Sequence, residues 1–178
     1  MNLYISTYIL AAVSAALGWI FAVGTRKCQG AMMSFLRSKK AAVVTFGLGG
    51  LWFLYQLSQL GEADFGQIKG LLIAVFGIAG VLAFFYLDDF LSVRGACVIV
   101  LLAARTFLDG AFMQPPQSRL VLVALTYVWI AAAIYFGAVP YRLRDALEYL
   151  YENKTRAKTL GWIFFACAAL LAASSVFY

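Results

Sequence analysis

Residues 120–139 read LVLVALTYVWIAAAIYFGAV, twenty positions without a charge, a carboxamide or a proline. A helix rising about 1.5 Å per residue makes about 30 Å of this stretch, the thickness of bilayer hydrocarbon. In lipid every backbone N–H and C=O needs an internal partner, so a continuous apolar run of this length specifies a helix. A water-soluble helix would show a polar stripe, and this run has none.

Outward from it, five further runs have the same character: 3–23, 41–60, 68–87, 93–113 and 159–178. They explain why the 178-residue chain is 64% hydrophobic and only 12% charged, where a soluble domain carries about 25% charge. The expected class is all-α: a polytopic integral membrane protein with six transmembrane helices in a single domain covering 1–178. The first run is longer than a signal-peptide core and lacks a basic leader. With Thr25, Arg26 and Lys27 directly after it, it is expected to be retained as a helix.

The basic residues assign an orientation. Eleven of them (Arg26, Lys27, Arg37, Lys39, Lys40, Arg94, Arg142, Arg144, Lys154, Arg156 and Lys158) fall in the first, third and fifth connections or beside them, whereas the second and fourth hold only Lys69 and Arg119. Lys and Arg near helix ends stay cytoplasmic during insertion, so both termini are expected outside, in a plasma or inner membrane. The net charge of +6 then points to anionic headgroups on the cytoplasmic side rather than to nucleic acid, because the cations sit beside apolar runs.

Two connections carry a shared pattern. Cys28, Ala31, Met32, Phe35 and Leu36 follow the i, i+3, i+4, i+7, i+8 spacing, and Leu143, Ala146, Leu147, Leu150 and Tyr151 repeat it 115 residues later, with Lys39 matching Lys154. Both segments, 26–38 and 141–153, read as amphipathic interfacial helices with apolar stripes in the headgroup boundary and Arg26, Arg37, Arg144, Asp145, Glu148 and Glu152 toward water. Pro140 suits the start of the second. The first and last helix pairs therefore read as parallel copies of one unit. The third and fourth runs read as a shortened copy whose link, 88–94, has no room for such a helix.

Residue types that are missing limit the chemistry. The chain has no histidine, and Cys28, Cys97 and Cys167 are isolated; the usual imidazole and thiolate metal sets and the commonest general base are therefore unavailable, and no metal or cofactor is expected. No phosphate loop, nucleophile elbow or paired-carboxylate motif occurs, so the expected function is not enzymatic. Small residues four apart, Ala11/Ala15, Ala12/Ala16, Ala168/Ala172 and Ala169/Ala173, together with Gly47, Gly49, Gly50, Gly70, Gly77 and Gly80, mark where helices could approach closely.

The fourth run is the exception to uniform apolarity. Arg105 and Asp109 lie within it at i, i+4 and share a face. Arg94 precedes Arg105 by eleven residues, a rotation of about 1,100° that returns to nearly the same side of a helix. Arg94, Arg105 and Asp109 thus form a candidate intramembrane polar stripe, and Asp88 with Asp89 a candidate charge cluster at its cytoplasmic end. Charges at such depth are costly and usually face protein or water. Minimal connections, absent chemistry and small-residue faces favour a non-enzymatic accessory or structural subunit of a membrane assembly, joined to further copies or other membrane subunits. The alternative is a small transporter or channel component that uses the stripe on the fourth helix.

The orientation has a direct check. With the native cysteines replaced, a cysteine introduced at Ser38 or Asn153 is expected to resist an impermeant thiol reagent in intact cells, and one at Ala63 or Gln117 to react. The opposite labelling pattern would reverse the assignment.

Overall fold

The computed structural model describes residues 2–23, 26–61, 66–86 and 90–178, excluding the side chains of Arg26 and Lys27. Among the described residues the chain is all helical: α1 (Leu3–Val23), α2 (Arg26–Arg37), α3 (Lys39–Ser58), α4 (Lys69–Tyr86), α5 (Leu91–Ala111), α6 (Arg119–Ala138), α7 (Tyr141–Glu152) and α8 (Lys154–Ser174), with single 3-10 turns before α4 and after α8. Six helices are long and apolar enough to cross a membrane, as six runs in the sequence imply. The 3-10 turn Gly66–Ile68 continues directly into α4.

Boundaries move where capping chemistry overrides hydropathy. α8 begins five residues before its apolar run because the Asn153 side chain accepts a hydrogen bond from the Thr155 N–H at 2.9 Å, which brings the Lys154–Lys158 segment into the helix. Ser38 does the same for α3, accepting from the Ala41 N–H at 3.2 Å. At α5 the chain enters through Phe90 with φ 59° and leaves before Met113 with φ 54°, so the helix covers 91–111 instead of 93–113. The two short helices match the 115-residue offset at both ends, as do the caps Ser38 and Asn153.

The bundle is organised by two close crossings. α1 lies along α8, and α3 along α5, which also packs on α6 and touches α1 and α2; among the described residues α4 packs mainly on α3. Consecutive helix pairs interlock cyclically, α1 on α8, α4 on α3 and α6 on α5. At the α1–α8 crossing, a Cβ on Gly161 would lie 2.6 Å from the Ala22 backbone N and 2.8 Å from the Gly18 carbonyl oxygen. At the α3–α5 crossing, a Cβ on Gly95 would lie 2.6 Å from the Phe46 Cα. Only hydrogen fits in either place, and the backbones meet because of it.

The small-residue spacing in the sequence selects mostly other positions. Of its six glycines in the second and third apolar runs, Gly49 alone lies at a crossing; a Cβ on Gly47, Gly50, Gly70, Gly77 or Gly80 would meet nothing within 4 Å. α1 buries Leu3, Thr7, Leu10, Ser14, Gly18 and Phe21 and turns Ala12 and Ala16 outward. Its hydroxyls fit there because Thr7 donates to the Leu3 carbonyl at 3.0 Å within the helix.

Each end of the bundle is tied. At one end Tyr178 anchors the α8 side, its hydroxyl 2.9 Å from the Thr7 hydroxyl and its carbonyl accepting from Tyr4 at 3.0 Å. At the other, the basic end, α2 and α7 pack against each other. Leu36, Leu147, Phe21 and Val93 form one buried cluster, so both apolar stripes turn toward protein. Ser92, at the start of α5, donates to the Phe35 and Leu36 carbonyls at 2.8 and 3.0 Å, closing the open end of α2. The Tyr151 hydroxyl donates to the Met32 sulfur at 3.3 Å, and burial pushes its pKa up.

The crossings predict opposite outcomes for one substitution. Gly95→Ala or Gly161→Ala is expected to cost about 1–3 kcal/mol through forced separation of the helices, whereas Gly47→Ala or Gly77→Ala is expected to be neutral or slightly stabilising. Thermal unfolding of the detergent-solubilised protein, compared across the four variants, measures the difference.

Candidate functional site

α5 carries the candidate stripe and is also the most shared helix of the bundle. Its buried side includes Ser92, Val93, Gly95, Leu102, Ala104, Phe107 and Gly110. Residues Arg94, Val98, Leu101, Arg105 and Asp109 run along another side, because i+3 and i+4 steps stay on one face. The stripe inferred from eleven-residue spacing therefore lies on a face of α5 distinct from the side that builds the core.

Arg105 and Asp109 are brought together but not enclosed. Arg105 Nε lies 3.9 Å from Asp109 Oδ2, and the two side chains are 62% and 69% exposed. A pair at that distance and exposure is a loose one, of the kind worth about 0.2–1 kcal/mol in water. Both charges point away from the chain's own core. Asp88 and Asp89 lie outside the described residues.

Arg94 sits in the first turn of α5 at the basic end, at the mouth of a cleft of about 500 Å³ between α5 and α6. Cys97, Val98 and Leu101 form one wall, and Ala133, Ile134, Gly137 and Ala138 the other. The Arg94 Nε is buried without a hydrogen-bond partner, and among the described residues no carboxylate pairs with it. A buried donor left unmade costs about 1–3 kcal/mol, more when it is charged. The cleft was not singled out from the sequence. Its signal was present in Ala133 and Gly137, small residues four apart on α6, opposite Cys97: a Cβ on Gly137 would lie 3.4 Å from the Cys97 Cβ.

Other charges of the basic end are paired on α7 and at its junction with α8. Arg144 bonds Asp145 at 2.9 Å and lies 3.7 Å from Glu148; the hydrogen bond to Asp145 is the main cause of its raised pKa. Arg156 pairs with Glu152 at 3.1 Å and stacks 4.0 Å over the Tyr149 ring. Arg144 and Arg156 are compensated in this way, unlike Arg94. At the opposite end Arg119 donates to the Ala111 carbonyl at 3.4 Å, a cation at the C-terminus of α5 where the helix dipole favours one.

No protein-family model, curated protein or solved structure matches the chain.

The exposure of the pair sets its energetic signature. In detergent-dispersed protein, a double-mutant cycle of Arg105→Gln and Asp109→Asn is expected to return a coupling no larger than about 1 kcal/mol. A coupling well above that in a monomeric preparation would show that the two charges are enclosed rather than open.

Proposed function

We propose that the chain is an integral membrane protein, crossing the bilayer six times with both ends outside, and that it acts as a non-enzymatic subunit of a membrane assembly. One observation carries the reading: Arg105 and Asp109 face away from their own bundle. From the middle of α5, Arg105 stands about 6 Å along the axis and Asp109 about 12 Å, both inside a hydrocarbon half-thickness of about 15 Å. A charge facing lipid costs about 2.5–3.5 kcal/mol at the helix centre on the lower scale and less towards the headgroups, so the cost falls more on Arg105 than on Asp109, and covering the pair with protein removes it. The exposed pair accordingly favours a partner that is either a second copy or another membrane subunit.

The edge formed by α4 supports the same reading. α4 buries no residue and is held by edge-to-face contacts of Phe84 with Phe46 and Phe76 with Phe53, ring centroids 5.2 and 5.1 Å apart. In this orientation α2 and α7 cap the cytoplasmic end, with their charged faces to water and their stripes against the bundle. A second reading keeps the same face: as a transporter or channel component, copies would bring their Arg94–Arg105–Asp109 stripes together around a shared path.

Stoichiometry tests both readings. Extraction in mild detergent followed by native mass measurement is expected to release the chain with copies of itself or with other subunits, and Arg105→Gln is expected to raise the fraction of lone chain. A lone chain from the unaltered protein, at native expression level, would overturn the subunit reading. A closed ring of copies whose reconstituted vesicles pass ions would support the path instead.

A further inference from the structure

We propose that the α5–α6 cleft is a binding site for one anionic phospholipid of the inner leaflet, its phosphate held by Arg94 and an acyl chain lying along the cleft floor. The inference needs α5 and α6 to stand in a bilayer, and it is independent of whether the chain is a subunit of an assembly.

Three observations meet at this place. The first is an unsatisfied donor: among the described residues nothing hydrogen-bonds the buried Arg94 Nε, although Arg144 and Arg156 have carboxylates. A guanidinium presents a planar fork that matches two oxygens of a phosphate, and such charge-assisted bonds are about twice as strong as neutral ones. The second is position. Arg94 stands about 10 Å along the axis from the middle of α5, so its long side chain reaches toward the headgroup level on the basic side. The third is the lining. Below the guanidinium the walls are apolar, and on the α6 side Ala133, Gly137 and Ala138 are small, so a chain of methylenes is accepted and a hydrated ion is not.

The combination is selective in chemistry. A free phosphate could satisfy Arg94 but would make no contact with the apolar walls of the cleft. A zwitterionic lipid would fill the cleft but would bring its own cation to the guanidinium. An anionic glycerophospholipid satisfies both parts at once. The exposed Arg142, in the first turn of α7 four residues beyond Ala138, stacks near the Tyr141 ring at 5.9 Å and is assigned no contact with this lipid.

The test is native mass measurement of the full chain in detergent, titrated separately with phosphatidylglycerol, phosphatidylcholine and inorganic phosphate. The unaltered protein is expected to retain one phosphatidylglycerol per chain in preference to phosphatidylcholine, and millimolar inorganic phosphate is expected not to displace it. Arg94→Gln is expected to weaken retention by at least about tenfold, the loss of one charge-assisted bond, while Arg142→Gln leaves it unchanged. Ala138→Phe fills the cleft from an exposed position and is expected to reduce retention with Arg94 intact, so the proposal stays testable if Arg94→Gln fails to fold. Equal retention of the two lipids, competition by free phosphate, or unchanged retention in Ala138→Phe would each overturn it.

Discussion

The bundle depends on two places where a hydrogen atom stands between backbones. At Gly161 against Gly18 and Ala22, and at Gly95 against Phe46, a methyl group would lie under 3 Å from main-chain atoms. Where backbones approach this closely, packing between the helices supplies the attraction. The α1–α8 and α3–α5 pairs are the products of those contacts. α6 is positioned by α5, α4 by α3, and the α2–α7 cap rests on the resulting arrangement, with Ser92 and Val93 of α5 as its footing.

This dependence explains why α5 shows two characters. The turn that buries Gly95 against α3 also places Arg94 at the cleft beside α6, because adjacent residues on a helix point about 100° apart. One helix thus serves as the scaffold of the core and the carrier of every candidate functional charge on the described part of the chain. Its charged face is left outward because Leu102, Ala104, Phe107 and Gly110 take the inward one.

Much of the fold was legible. Six apolar runs became six long apolar helices, and the paired stripes of 26–38 and 141–153 became α2 and α7 within one residue. The stripes' destination was not legible: amphipathicity states that a face seeks an apolar neighbour without saying whether that neighbour is lipid or protein, and here Leu36 and Leu147 found each other's cluster. The glycines failed for a similar reason. Spacing marks positions where approach is allowed, but Gly47 and Gly77 have open space before them while Gly18, Gly95 and Gly161 do not.

For this protein, local chemistry written along the chain determines helix number, helix ends and which end of the bundle is basic: hydropathy, Asn153 and Ser38 caps, and the placement of Lys and Arg act within a few residues of where they occur. The i, i+4 placement of Arg105 and Asp109 is of the same kind, since helix geometry alone puts them on one face. Only the tertiary structure decided which faces are inside, because that is settled by which helices cross and at which glycine, a relation between residues as far apart as Gly18 and Gly161. The Arg94 cleft belongs to this second category, because it is the space left between two helices whose separation neither one specifies by itself.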